Sequence, residues 1–581
     1  MEGAVMVSAP RRGRCIVVAL FLLAGFVVVL FRLFNLQILQ AAELTVKADR
    51  QHRKAVSVQG PRGSIFDRNG KVLAINVDVP SVFGVPASLD DPSGVARHLS
   101  PVLHVRAGEI ERKLKQERSF VWIARKLDPE QGRRLERMPL EGIGVVMEGQ
   151  RFYPKGPLLS HVLGFAGMDS QGLEGIERRY DPYLRGEKQM VVLQRDALGR
   201  TVFPKGLHEQ TPSTGHNVIL TIDEVIQYIA EKELEEAVTA TRAKGGIVIV
   251  MEPRTGAILA MAVNPRFDPN AVQGISADRW RNRALTDTYE PGSTMKIFVA
   301  AAALEEKVME PGTLVYGENG HMVVARTVIH DHERMGWMTF AQVVQRSSNI
   351  GSVKTATALG EERLYRWLRA FGFGERTEID LPGEVAGLVK EPRDWGRRSL
   401  ASIAIGQEIG VTPLQLVTAV AAIANGGWLM KPHTVSEIRD EKGRVVVRAS
   451  PQVRRQPISP ESVRTLSKIL EGVVTHGTGS KAAVPGYRVA GKTGTAQKID
   501  PKTGSYSSNL SVGSFVGYVP ADDPRLAVVV VIDEPQTEAW GGVVAAPVFR
   551  RVAEQALQYL GVSSQEPVKL AMTSRSEMAR P

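Results

Sequence analysis

Three short stretches hold side chains whose types and spacing could do chemistry. The first, Gly486 to Gln497, reads GYRVAGKTGTAQ, and Gly486, Gly491, Lys492 and Thr493 spell the nucleotide-binding pattern G-x-x-x-x-G-K-[ST]. A phosphate cradle needs a strand before the first glycine, a loop across the variable residues and a helix opening at the lysine. Here Pro485 precedes that glycine, Tyr487 to Ala490 favour strand, and Gly494 interrupts any helix after Thr493. On an edge strand, Lys492 with the hydroxyls of Thr493 and Thr495 would instead hold a carboxylate, with Gly494 letting a ligand approach the backbone. A plain strand with a glycine bulge fits the same letters.

The second stretch, TDTYEPGSTMKIFVAAAALEE, sets Pro291-Gly292 ahead of Ser293 and an apolar helix through Leu304. Ser293 and Lys296 share one helical face, and Ser293 lies in the first turn, where free N–H groups favour an anion. Met295, Ile297, Phe298 and Val299 surround Lys296, so burial should penalise its charged form and lower its pKa. A neutral amine beside a hydroxyl can take its proton and make the serine a nucleophile. An N-capping serine followed by a lysine that reaches solvent is the inert alternative. The third stretch, QRSSNIGSVKTATALG, puts Ser347 and Asn349 between helical runs. They could relay a proton and hold a substrate amide, or the serines could simply cap a helix.

In this order, Ser-x-x-Lys, Ser-x-Asn and Lys-Thr-Gly-Thr are the motif set of penicillin-binding proteins and class A β-lactamases. With NRALTDTYEPGSTMK, SSNIG, VAGKTGTAQ, FVGYVP and EAWGGVVAAPVFRRV around them, and RGSIFDRNG and GLEGIE upstream, the chain resembles a class B penicillin-binding protein over nearly its whole length. The resemblance implies a serine D,D-transpeptidase that cross-links peptidoglycan stem peptides and is a target of β-lactams. It implies Ser293 as the nucleophile toward D-Ala-D-Ala, Lys296 as its base, Ser347 as a proton shuttle and Asn349 as the holder of the donor amide. Lys492, Thr493, Gly494 and Thr495 would receive the terminal carboxylate, the backbone N–H groups of Ser293 and Thr495 would form the oxyanion hole, and no metal or cofactor is needed.

Within class B, Glu290 before Pro-Gly-Ser resembles the division type, whereas the elongation type more often has a second proline there. The division type implies a polytopic lipid-II polymerase and other division proteins as partners. The same motifs also fit an elongation-type transpeptidase, or a D,D-carboxypeptidase or β-lactamase that hands the acyl group to water. Outside catalysis, a β-lactam sensor or an inactive division scaffold would keep the likeness.

Positioning these side chains calls for a scaffold. Strands at GGIVIVMEPRTGAILAMAV, Ser511 to Val519 and Leu526 to Pro535 enclose a helical middle, with helices at Ile226 to Thr241 and PVFRRVAEQALQYL. That order predicts an α+β fold over residues 216–560, an antiparallel sheet flanked by helices, which by resemblance is the penicillin-binding-protein transpeptidase fold. Residues 59–215 mix short strands and helices, open on a hairpin at Asn69-Gly70 and show no acid pair or nucleophile with a base. They read as a non-catalytic module, which by resemblance is an elongated pedestal of dimerisation type.

Ahead of them, Arg11, Arg12 and Arg14 precede the uncharged apolar run Cys15 to Phe31. This predicts a cytoplasmic tail over residues 1–14, a single transmembrane anchor over 15–36 and a helical stalk over 37–58, with the catalytic part outside the inner membrane. Arg32, Leu33 and Phe34 stand where a cleaved signal peptide would have its small-residue site. Residues 561–581 read as a disordered polar tail. Cys15 is the only cysteine, so no disulfide framework is available, and the net charge of +11 is scattered without aromatic interleaving, which argues against a nucleic-acid partner. His330 and His332 in IHDHER are spaced for one strand face, but with only Asp331 and Glu333 nearby they read as a solvated loop rather than a metal site.

Overall fold

The computed structural model describes residues 12–44, 53–118, 120–138, 140–195, 201–202, 213–500 and 502–564. The expected C-terminal tail beyond residue 564, most of the cytoplasmic tail and the middle of the stalk lie outside the described residues. The chain forms two compact units: residues 61–80, 147–186 and 214–581 make one, and residues 1–60, 81–146 and 187–213 the other. The units part between residues 213 and 214, and two upstream segments, 61–80 and 147–186, pack with the residues that follow.

The larger unit is built on a five-stranded sheet. Helix α1 (Glu224–Thr241) leads into β1 (Gly245–Met251) and β2 (Ile258–Asn264), and the chain returns late with β3 (Ala490–Ile499), β4 (Tyr506–Val519) and β5 (Leu526–Asp533). The spatial order is β2-β1-β5-β4-β3, antiparallel throughout, which leaves β3 on an edge. The apolar runs are unbroken because both faces are covered. Ile247, Ile249 and Met251 enter one hydrophobic cluster, while Val248 and Val250 enter a second with Ile226 and Leu234 of α1 and Phe549 and Val552 of the C-terminal helix Ala546–Tyr559. Opposite them, the helix Pro413–Ala424 buries every residue through Ile423 in the first cluster's side of the sheet.

Two upstream segments complete this unit. Ile65–Phe66 pairs antiparallel with the start of Val72–Gly84 across the expected hairpin, where Gly70 has φ +81°, and runs parallel to Asn217–Leu220. From RGSIFDRNG comes Arg62 and from GLEGIE comes Glu177, which is fully buried and accepts Arg62 Nε at 2.6 Å and Arg151 Nε at 2.5 Å. A carboxylate that deep is tolerated only with such partners.

In the smaller unit, helices Pro92–Leu103, Ala107–Leu114 and Pro129–Glu136 surround the strand Val121–Ala124 and bury Leu99, Ile110, Leu114 and Ile123. The N-terminal helix is Arg12–Phe34, and the apolar stretch Ile16–Leu39 has a mean hydropathy of 2.9. The stalk departs from the all-helical expectation, since Arg53–Gln59 is a strand paired antiparallel with Lys188–Arg195. The alternation in Ala55-Val56-Ser57-Val58 is a two-residue period, and a pairing partner some 130 positions downstream turns it to sheet.

Candidate active site

Helix α2 (Lys296–Glu305) carries Lys296 and is buried along its length through Leu304. Phe298 fixes it, with its ring 5.0 Å from that of Phe371 and 4.8 Å from that of Phe373. Ser293 does not cap α2; it sits half-buried in a 3-10 turn, Gly292–Met295, that makes no side-chain cap. Gly292 has φ +55°, and a Cβ there would lie 2.4 Å from the carbonyl oxygen of Thr495. The turn bearing Ser293 is thus pressed against β3, and only glycine permits both the backbone twist and the approach.

Lys296 is buried, 1 % exposed, and does not reach solvent. Its Nζ donates to Ser347 O at 2.6 Å, to Asn349 Oδ1 at 2.7 Å and contacts Ser347 Oγ at 3.2 Å. Burial pulls its pKa down to about 7, against an opposing pull from Asp331. Among the described residues no hydrogen bond joins Lys296 Nζ to Ser293 Oγ; the link from the lysine runs to the Ser-x-Asn turn. That turn opens helix α3 (Asn349–Leu359): Ser348 caps the helix by accepting Gly351 N at 2.9 Å, while Ser347 and Asn349 contact Lys296. Ser347 takes a left-handed backbone, φ 63°.

Lys492 lies on β3, fully buried, with Nζ donating, among the described residues, to Thr493 O at 3.2 Å and Thr493 Oγ1 at 3.3 Å. Burial, and after it the neighbouring Lys296, hold its pKa well below the ordinary lysine range. Among the described residues no carboxylate pairs with it. Thr493 Oγ1 lies 2.8 Å from Thr478 Oγ1, and Thr495 Oγ1 accepts Gly541 N at 3.1 Å. The strand begins at Ala490, so Tyr487 to Val489 are not strand as their side chains suggest: Tyr487 closes a turn with Val484, and Arg488 O accepts Ala521 N. Nor does Gly494 mark a bulge, since it pairs in register with Ser514. A Cβ there would meet Ser514 Oγ at 2.4 Å and Pro291 O at 2.8 Å, so this glycine also admits the serine turn.

The loop IHDHER is more engaged than its solvated reading. His330 and His332 do not share a face: His330 Nδ1 lies 2.9 Å from His321 Nδ1, and the His332 ring meets that of Trp540 edge-on at 4.5 Å. Between them, Asp331 accepts Ser348 Oγ at 2.7 Å and the backbone N–H groups of Asn349 and Ile350, while His330 O accepts Asn349 Nδ2 at 2.8 Å. Asp331, Thr478 and Trp540 therefore join the site without having been singled out by residue type or spacing. For Asp331 the one available signal was an acid within a polar run ahead of a helix start.

Known proteins carry the same architecture. The family model for the penicillin binding protein transpeptidase domain matches residues 246–554, and that for the penicillin-binding protein dimerisation domain matches residues 57–220. Stage V sporulation protein D of Bacillus subtilis is 38 % identical over 96 % of this chain and 87 % of its own length. Peptidoglycan D,D-transpeptidase FtsI of Escherichia coli is 32 % identical over 97 % of this chain and 93 % of its own. Among solved structures, penicillin binding protein 3 of Mycobacterium tuberculosis, in complexes with aztreonam and ampicillin, superposes with a TM-score of 0.69 at 28 % identity, covering 88 % of this chain and 99 % and 98 % of those chains. A peptidoglycan synthetase from Bifidobacterium adolescentis gives 0.71 at 26 % identity, covering 89 % and 98 %. With a lysine drawn down to about 7 behind the serine turn and an unpaired buried lysine on the facing edge strand, the chain belongs to the class B penicillin-binding proteins and is a peptidoglycan D,D-transpeptidase.

Proposed function

We propose that this transpeptidase cross-links stem peptides during septal wall synthesis, anchored by its N-terminal helix with the catalytic unit outside the cytoplasm. The observation that carries the chemistry is the buried Lys296 amine, held by Ser347 and Asn349 and drawn down to about 7. Ser293 Oγ attacks the carbonyl carbon between the two D-alanines as its proton passes to Lys296. The backbone N–H groups of Ser293 and Thr495 stabilise the oxyanion. The C–N bond then breaks, Ser347 relays a proton to the leaving amine, and D-Ala departs from an ester on Ser293. An amine of a second stem attacks that ester, forms the new amide and returns the proton and the serine. Lys492, Thr493 and Thr495 hold the donor carboxylate, with Gly494 bringing the strand against the serine turn, and Asn349 holds the donor amide.

Glu290 supports the septal assignment, as does the similarity to FtsI. Its Oε1 accepts Tyr506 Oη at 2.9 Å and Glu408 N at 2.9 Å, which ties the residue before Pro291 to the β3–β4 hairpin. A polytopic lipid-II polymerase is the partner this role calls for. The similarity to a stage V sporulation protein supports a second reading, wall synthesis during spore formation. Depletion in the native host, rescued by the wild type but not by Ser293→Ala, separates them. Cells that elongate without dividing support the septal role. Round cells that still divide assign elongation instead, and normal vegetative growth with a defect confined to spores assigns the second reading. Rescue by Ser293→Ala would remove catalysis from the role altogether.

A further inference from the structure

Asp331 belongs to none of the three motifs, yet its carboxylate meets the Ser-x-Asn turn from a separate loop. Oδ2 accepts Ser348 Oγ at 2.7 Å, and Oδ1 accepts the backbone N–H groups of Asn349 and Ile350, the latter at 3.1 Å. These are first-turn amides of α3, which otherwise have no intrahelical partner, and an anion there is favoured by the helix dipole. Ser348 passes the contact on, since its hydroxyl also accepts Gly351 N at 2.9 Å. Immediately before these anchored residues stands Ser347, whose left-handed backbone is unusual for a residue with a side chain and persists only when its surroundings over-determine it. That same backbone conformation aims Ser347 O and Oγ at Lys296 Nζ.

We propose that Asp331 is a positioning residue for the transpeptidase reaction: it locks the Ser-x-Asn turn onto Lys296 and keeps a carboxylate beside that buried amine. The proposal rests on reading Lys296 as the base for Ser293. The charged groups around Lys296 fit the role. From β3, Lys492 is a second buried amine, held down by burial first and then by Lys296; from the loop, His332 is lowered by burial first and then by the two lysines, against Asp331 and Glu333. Ser347 and Asn349 are neutral, and Glu333 of the same loop is paired with Arg346 at 2.5 Å. Asp331 is the carboxylate that acts on Lys296 among the described residues, and it opposes the effect of burial. Without it the amine would be a weaker base, neutral at lower pH but less able to take the serine proton.

The test measures acylation of the detergent-solubilised full chain by a fluorescent penicillin from acid to alkaline pH, with thermal melting alongside. Lys296 must be neutral to accept a proton, so wild-type acylation should rise as pH passes through about 7. Asp331→Asn keeps an acceptor oxygen for the Asn349 and Ile350 amides but removes the charge. It should melt with the wild type and carry its acid limb to lower pH, a readout that a purely structural role would not move. Asp331→Ala loses the anchor as well and should acylate more slowly at every pH, on the order of 10-fold to 100-fold, as expected for a displaced catalytic geometry. If Asp331→Ala does not fold, the pH limb of Asp331→Asn decides alone. A profile for Asp331→Asn that superimposes on the wild type overturns the proposal, and so does a wild-type rate in folded Asp331→Ala. A wild-type rate in Lys296→Ala would overturn the reading of the base itself, whatever Asp331 does.

Discussion

Two lysines, each fully enclosed, define the chemistry at the scale of single residues. Removing an ammonium from water penalises its charged form, and Lys492 also lies in the field of Lys296. Lys296 answers by sitting near neutrality with hydrogen bonds to Ser347 and Asn349. Unfolded, it would hold its proton up to about 10.5, so the unfolded chain binds more protons between about 7 and 10.5 and this residue makes folding more favourable as pH rises through that window. Among the described residues Lys492 has no partner anion, and the terminal carboxylate of a donor stem would supply one and favour the charged form that burial penalises. Lys492→Ala should therefore weaken acylation by stem mimics with a free carboxylate by about 2 kcal/mol or more, the usual effect of truncating one side of a buried charge pair. The matched C-terminal amides should lose far less. Equal losses for acid and amide, measured as acylation rate per unit concentration, would deny Lys492 the role of carboxylate clamp.

Elements hold these residues through close backbone approaches, and Gly292 is the tightest joint. Its φ of +55° strains any other residue, and a Cβ would meet the Thr495 carbonyl at 2.4 Å, which is backbone and cannot swing aside. Gly292→Ala should destabilise the chain by roughly 1–3 kcal/mol and slow penicillin acylation by separating the serine turn from β3. An unchanged melting temperature with a wild-type labelling rate would show the joint to be slack. Such joints explain what could be read in advance. The sheet was legible because Ile247 to Met251 and Leu526 to Ile532 are apolar on alternate faces and both faces are covered. Lys296 was legible because its sequence neighbours are all apolar. Asp331 was not, because its partners Ser348 to Ile350 lie 17–19 residues on and meet it only through the fold. The strand Arg53–Gln59 was missed for the same reason: a short amphipathic run takes its state from a remote partner. Tyr487 to Val489 erred in the opposite direction, their β-favouring side chains serving a turn.

For the whole molecule, the question is which side of a membrane the site faces. The stretch Ile16–Leu39 has 24 residues, and a helix of that length is about 36 Å long, enough for a hydrocarbon core of ~30 Å. Arg11, Arg12 and Arg14 stand before it, and by the positive-inside rule the proposed placement has everything after the span outside. That placement suits a substrate built into the wall. It also suits the absence of cysteine beyond Cys15, since a catalytic part so placed would carry no thiol to oxidise. A phosphatase that is active only outside the cytoplasm, fused after residue 60 in the otherwise native chain, should be active, and the mature protein should keep its N-terminal residues. A silent reporter whose fusion is made in full would place the catalytic unit inside and separate it from cross-linkable wall. An active reporter on a chain beginning near Ala42 would mean a cleaved leader, and the site would then reach the septum without an anchor of its own.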